Sequence, residues 1–190
     1  MPDYTPYLDR RQELAAGTHS AGTTTWNLPY YDPDGNVLII GSGASQGEVR
    51  TDITVQNATY PYTVSVTGNY DGIQAVFGVA MAFSVTLTNP FRLRTDGTPD
   101  FTSRLTVRHL DVSYYKSGSF GVSRTMANRS GATVTFAGNS DGSVTATDTL
   151  RVNLNGNTHD ATWSVYSSNP KRVVIPSVEF FVDVNNRKDG

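Results

Sequence analysis

The sequence of 190 residues contains no cysteine, so disulfide bonds and thiolate metal sites are excluded. It also lacks any apolar run near the roughly 20 residues that a membrane-spanning helix needs. Residues 1–7 carry neither a cationic start nor an apolar core, so they do not read as a signal peptide. These absences predict a soluble protein that is made in a cytoplasm and does not contact a membrane.

Charged helix-forming residues are scarce, with three glutamates and three lysines against 17 glycines and 9 prolines. This composition is typical of many short strands joined by tight turns. The net charge of −2 argues against a strongly basic nucleic-acid-binding protein. Arginine outnumbers lysine twelve to three, and its planar fork suits paired charges at surfaces and interfaces.

About ten to twelve short segments of strand-like pattern follow one another at regular spacing. They predict an all-β fold, either an antiparallel β-sandwich or a barrel-like domain with long loops. Residues 1–22 hold few apolar side chains, and we expect a poorly structured N-terminal arm that orders only against a neighbour. Residues 23–186 are expected to form one β-sandwich domain, with a possible sub-boundary at 128–131.

The longest alternating stretch runs from Phe77 to Leu87 and predicts one long strand. Its large residues share one parity, while the other parity is small or polar. We expect the small-residue face to pack closely on a second sheet or on another subunit.

Two turn signals predict β-hairpins. Lys116 to Ser119 separates two apolar-rich runs, and we expect a positive φ at Gly118. Asn155-Gly156 separates two further runs and is the strongest short hairpin signal in the chain. Before the first turn, the buried parity switches near Arg108-His109, which indicates a bulge or a strand buried on both faces.

The sequence offers one weak cation signal, since Asp32-x-Asp34-x-Asn36 has the spacing of the first ligands of a calcium loop. The later positions of such a loop hold Val37 and Gly43, so a simple turn is the favoured interpretation. We predict no metal site and no cofactor.

No catalytic motif accompanies the histidines. His19, His109 and His159 are isolated in the sequence, and Gly-x-Ser-x-Gly is absent. A Ser/His/Asp triad stays open, because its members need not be neighbours in sequence. We predict that the chain is not an enzyme and has no catalytic residues.

Paired aromatic residues raise the alternative of a carbohydrate-binding β-sandwich module of a phage receptor-binding protein. In that case glycan binding would be lost on alanine substitution of Tyr114 or Trp163. Packing in the core or at subunit interfaces is the favoured interpretation of these rings.

Several short motifs follow one another along the chain. They are Leu8-Asp9-Arg10; Thr24-Thr25-Trp26-x-Leu28-Pro29-Tyr30; Val79-x-Met81-x-Phe83-x-Val85-x-Leu87; Asn89-Pro90-Phe91-Arg92; Arg104-Leu105-x-Val107-Arg108; Val112-x-Tyr114; and Ser117-Gly118-x-Phe120. In their order and spacing these motifs resemble the C-terminal part of the tail tubular B, or nozzle, proteins of short-tailed bacteriophages. The resemblance covers roughly Leu8 to Thr125. Since members of that family are several times longer, the chain is expected to be a short relative or a C-terminal piece.

The resemblance implies a structural virion protein of a phage tail. Its expected partners are other copies of itself in a ring, six in the family, together with a head-to-tail adaptor or portal-proximal tail protein and the tail fibres. It would contact phage DNA transiently and non-specifically during ejection, and would reside in the virion tail after assembly in the host cytoplasm. The motif hairpin, with a role in fold and interface, would comprise Arg104, Arg108, Tyr114, Ser117, Gly118 and Phe120.

Overall fold

A computed structural model describes residues 8–56, 59–100, 103, 105–138 and 146–184. Within these ranges the regular structure is all β, with antiparallel pairing and no helix, which confirms the predicted fold class. The sheets do not close into a barrel and are consistent with a β-sandwich. The strands are β1 Leu8–Leu14, β2 Thr18–Ser20, β3 Thr23–Asn27, β4 Val37–Ile40, β5 Val49–Arg50, β6 Ile53–Gln56, β7 Thr63–Thr67, β8 Ala75–Ala80, β9 Phe83–Thr86, β10 Arg92–Leu93, β11 Pro99–Asp100, β12 Leu105–Ser117, β13 Phe120–Met126, β14 Arg129–Phe136, β15 Ala146–Val152, β16 Gly156–Asn157, β17 Ala161–Ser167 and β18 Ser177–Val184.

The described residues form two compact units, and the first comprises residues 8–82 and 168–172. It holds two four-stranded sheets, with strand orders β1-β8-β4-β5 and β2-β3-β7-β6. One apolar cluster is shared by strands of both sheets and includes Trp26, Leu38, Val64 and Phe77. The indole Nε1 of Trp26 donates to the carbonyl of Ile73 at 2.8 Å, so its polar atom is satisfied inside this core.

The second unit comprises residues 83–138, 146–167 and 173–184. One sheet has the order β14-β13-β17-β9, and in the other β12 is flanked by β15 and β16 on one side and by β18 on the other. Val107 and Leu110 of β12 share one apolar cluster with Phe120 and Trp163 of the first of these sheets. The core of this unit therefore lies between its two sheets, as in a sandwich.

A β-bulge interrupts β12 where the sequence predicted a change of face. The pairing with β18 shifts register between Val107 and His109. Val107 is fully buried before the bulge, and Leu110 is fully buried after it. The extra residue turns the following side chains by one position, which keeps both halves of the strand facing the core.

The predicted hairpin at Lys116–Ser119 is wrong. β12 and β13 belong to different sheets of the second unit, so the connection crosses the sandwich instead of folding back on its own sheet. The positive φ in this stretch, 44°, falls on Lys116 and not on Gly118.

The predicted hairpin at Asn155-Gly156 is also wrong. β15 and β16 both pair with β12, whereas β17 belongs to the opposite sheet. Gly156 serves close packing, because a Cβ at this position would lie 2.8 Å from the Cβ of Ala161. Both predicted turns therefore mark places where the chain crosses from one sheet to the other.

Three further segments differ from the expected boundaries. Residues 8–14 and 18–20, expected in the arm, form β1 and β2, because β1 pairs with β8 and buries Leu14. The alternating stretch from Phe77 to Leu87 is divided into β8 and β9, which belong to different units. Residues 128–131 lie at the turn and start of the β13–β14 pair, within the second unit.

Candidate functional site

The predicted motif residues are mostly part of the core of the second unit. Tyr114, Ser117, Gly118 and Phe120 are all buried. Arg108 is exposed on β12 and its guanidinium pairs with Asp183 of β18. Arg104 lies outside the described residues. An interface role therefore stays a prediction, and among the described members Arg108 is the exposed one.

Ser117 fixes the segment that precedes β18. Its Oγ accepts a hydrogen bond from the Val174 amide at 2.9 Å and lies 3.0 Å from the Val174 carbonyl and 3.1 Å from the Tyr115 carbonyl. The Tyr115 amide donates to the same Val174 carbonyl at 3.0 Å. A small hydroxyl residue is needed here because its side chain replaces a backbone partner inside the protein.

Tyr114 packs in an aromatic group with Phe120 and Phe136, with ring centroids 5.6 and 4.5 Å from its own. Burial raises the pKa of the Tyr114 phenol above its ordinary value. A ring that is 8% exposed cannot stack on a ligand from solvent.

The outer face of β12 carries charges that are paired with one another. Arg151 of β15 makes a two-pronged contact with Asp111, with N–O distances of 2.9 and 2.8 Å. Hydrogen bonding from Arg151 lowers the pKa of the Asp111 carboxyl. His109 stacks on Phe181 at 4.3 Å, and its Nε2 lies 3.9 Å from Asp111. Arg151 therefore satisfies the Asp111 carboxylate, whereas the buried Nε2 of His109 has no hydrogen-bond partner among the described residues.

One cleft of about 680 Å³ in the second unit brings together Asp100, Ser103 and His159. The Ser103 Oγ donates directly to Asp100 at 2.5 Å, while His159 Nε2 lies 3.4 Å from the Ser103 carbonyl. In a catalytic triad the histidine would lie between the hydroxyl and the carboxylate. This arrangement places a carboxylate, and not the histidine, against the serine hydroxyl.

A second cleft of similar volume in the same unit is polar. Arg124 and Arg129 line it together with Asn155 and Asp160. The guanidinium of Arg124 donates to the Asn155 carbonyl, which fixes that side chain against the turn before β16. The cleft holds cationic donors beside a carboxylate, and no reacting group faces another there.

The aspartates at the calcium-like spacing contact an arginine. Arg10 contacts the buried Asp32 at 3.0 Å and the exposed Asp34 at 2.7 Å. The Asp34 amide also donates to Asp32 at 3.1 Å, as in a side-chain-capped turn. The described residues hold no group of three or more side chains suited to a metal ion.

The aromatic residues divide into buried and exposed sets. Trp163 is fully buried and donates from Nε1 to the Leu154 carbonyl at 3.0 Å. Tyr60 in the first unit is 78% exposed and meets Tyr62 edge-on at 6.0 Å. If any rings bind a ligand from solvent, they belong to this exposed set and not to Tyr114 or Trp163.

Strand β9 of the second unit is exposed along its whole length. All four of its residues are exposed, including Phe83 and Val85. The sequence predicted a strand here, within the stretch from Phe77 to Leu87, but the docking role was expected for its small-residue face. The available signal was the run from Ile73 to Phe91, which contains no charged residue.

Within the described ranges, the structure contains no helix long and apolar enough to span a bilayer.

The sequence profile of the family described as bacteriophage nozzle protein matches residues 1–190. Comparison with curated proteins gave no match. The profile match extends over the described β-units and over both clefts.

Proposed function

The chain belongs to the bacteriophage nozzle protein family, and on this premise we propose that it assembles into a closed ring in the phage tail. Membership makes the chain a structural component of the tail and therefore of the virion. The observation that carries the proposal is the family match across all 190 residues.

The ring, six-fold as the resemblance implies, continues the channel through which DNA leaves the capsid. A head-to-tail adaptor or portal-proximal tail protein lies above it, and tail fibres attach outside. A conduit must release DNA, and each phosphate contact adds affinity. The net charge of −2 supports passage with only transient, non-specific contact. Assembly takes place in the host cytoplasm.

The chain acts without catalysis in this proposal. The cleft that holds Ser103, Asp100 and His159 supports this view, because its serine hydroxyl is bonded directly to the carboxylate and the histidine does not lie between them as in a triad. Contacts between copies and with neighbouring tail proteins are then its whole activity.

The test is native mass spectrometry of the full chain at low and high protein concentration, together with particle imaging. We expect a closed ring whose mass is six times the 20.6 kDa of one chain. Purified virions of the encoding phage should contain the chain, and labelled copies should localise to the tail. Absence of the chain from virions would refute the proposal.

A carbohydrate-binding module is the second candidate function. The observation in its favour is the exposed ring of Tyr60, which forms a T-shaped pair with Tyr62. A glycan array would show saturable binding that Tyr60→Ala abolishes. If the wild-type chain binds no glycan on the array, this candidate function is removed.

A further inference from the structure

We propose that β9 is a docking edge, to which β14 of a second copy of the chain adds as the next strand of the sheet. The inference rests on the ring proposed above and names the contact between its neighbouring copies. It concerns the second unit alone.

The first observation is that β9 exposes apolar side chains at a sheet edge. β9 is the last strand in the order β14-β13-β17-β9. Phe83 and Val85 are 38% and 55% exposed, although both belong to the face that looks toward the core. Their positions follow from the register, since Val85 pairs with the buried Val165 and Phe83 pairs with Ser167.

The exposure has a simple geometric cause. The sheet that contains β9 is four strands wide, whereas the opposite sheet is three strands wide, with β12 between β15 or β16 and β18. At the other end of the wide sheet, Val134 and Phe136 of β14 pack against the core. The uncovered strand is therefore β9.

The second observation is that β9 lacks the features that normally protect a sheet edge. Free edges are blocked by charged side chains, by proline or by bulges. β9 has none of these, and its sequence is Phe-Ser-Val-Thr. The edge strands of the opposite sheet do carry charges: Asp148 and Arg151 lie on β15, and Glu179 and Asp183 lie on β18.

The third observation is that the opposite edge of the same sheet complements β9. The sheet has four strands, and every adjacent pair is antiparallel. With an even number of strands, β14 and β9 run in opposite directions. A second copy placed in line therefore brings its β14 beside β9 as an antiparallel partner, with both core-facing sides on the same face.

The side chains match in the register that places Val85 opposite Val134 of the second copy. Phe83 then meets Phe136, a cross-strand aromatic pair of a favourable kind. On the other face, Thr86 meets Thr133, and Ser84 meets Thr135. Both pairs are exposed hydroxyl residues, so the added strand buries no unpaired charge.

Pairing β9 with β14 uses two different surfaces of one chain. Such a head-to-tail contact repeats from copy to copy and closes into a ring when the rotation between copies allows it. A contact of β9 with β9 would instead stop at a dimer.

The absence of cysteine from the native chain permits a direct test. In the double variant Thr86→Cys/Thr133→Cys, the two positions lie on strands separated by β13 and β17, about 14 Å apart at normal strand spacing. A disulfide needs Cα atoms within about 7 Å, so no bond can form within one chain. Oxidation of the full-length variant should give a ladder of covalently linked copies on a non-reducing gel.

Two kinds of control and a second matched pair accompany the double variant. Each single variant should give no ladder, because one cysteine cannot link a head-to-tail series. The pair Thr149→Cys/Thr133→Cys should also give none, since Thr149 lies on the outer face of the opposite sheet, beside Ser113. The pair Ser84→Cys/Thr135→Cys should repeat the ladder.

The outcomes separate the inference from the ring proposal. A ladder in both matched pairs and in no control supports β9–β14 pairing. A ring by native mass that gives no ladder overturns the inference and leaves the ring in place. Disulfide-linked dimers of the Thr86→Cys single variant overturn it as well, because they indicate β9–β9 contact. A chain that is monomeric at every concentration and gives no ladder overturns the inference too, and virion localisation then decides the proposed function.

A charge on the edge provides a second measurement. Val85→Lys should shift the native mass from the ring to a monomer that is still folded, because the site is already half exposed in one chain. Thr149→Lys is the matched control and should leave the ring intact. A ring that persists in Val85→Lys contradicts the proposal.

Discussion

Removing one buried hydroxyl should measurably loosen the second unit. In Ser117→Ala, the Val174 amide loses its acceptor, 2.9 Å away, and the Val174 and Tyr115 carbonyls lose a nearby donor. Leaving a buried polar group without a partner costs about 1–3 kcal/mol. Val174 is only half-buried, so water can replace part of the loss, and we expect about 1–2 kcal/mol. For a unit of this size the melting temperature should fall by about 4–16 °C.

Ser113→Ala is the matched control, since it lies on the same strand and its Oγ meets Thr149 at the exposed surface, 3.3 Å away. Its effect should stay within about 0.5 kcal/mol. Urea unfolding gives the two free energies, and hydrogen exchange of the Val174 amide should accelerate about 5- to 30-fold in Ser117→Ala alone. Equal destabilisation by the two variants, with Val174 exchange unchanged, would refute the role given to Ser117.

Two more substitutions test packing and charge. In Gly35→Ala the new methyl group would lie 2.1 Å from the ring of the fully buried Phe77. Thermal unfolding should show a loss of about 1–3 kcal/mol, and an unchanged curve would contradict the close contact. Arg151→Gln should raise the pKa of Asp111, measured by carboxyl NMR titration, because the hydrogen bond that lowers it is lost. Since that pKa is lowered in the folded wild type, Asp111 contributes stability above about pH 4, which disappears as the pH falls through the folded pKa. In Arg151→Gln the stability that Asp111 contributes above about pH 4 should be smaller. Identical pH profiles of the free energy of unfolding in the variant and the wild type would contradict the assignment.

The bulge in β12 could be predicted from sequence because it is a local property. Leu105 and Val107 share one parity, and Leu110 and Val112 share the other, so one extra residue must separate them if all four face one core. The structure places the register shift between Val107 and His109. Parity within a strand is fixed by the pleat, and no distant part of the chain can change it.

The two hairpins could not be predicted because pairing depends on distant strands. A short break between two apolar runs fits a hairpin, and it fits a crossing between the sheets of a sandwich equally well. After Ser117 the chain changes sheets, and β12 finds its partners in β15 and β18, later in the sequence. Asn155-Gly156 repeats the situation, since its glycine is required for close packing on Ala161. For the same reason the sequence did not show that Tyr114, Ser117 and Phe120 of the predicted motif hairpin are buried in the second unit, and their interface role stays a prediction.

The stretch from Phe77 to Leu87 leads to the functional question. Alternation predicted one long strand whose small-residue face would pack on a second sheet or on another subunit. The structure divides the stretch and leaves Phe83 and Val85, on the large-residue face, open to solvent. An edge strand that exposes apolar side chains and carries no charge invites pairing with another chain. In the ring that we propose, this edge is the place where the next copy binds. The cross-link between Thr86→Cys and Thr133→Cys of adjacent copies would decide this point.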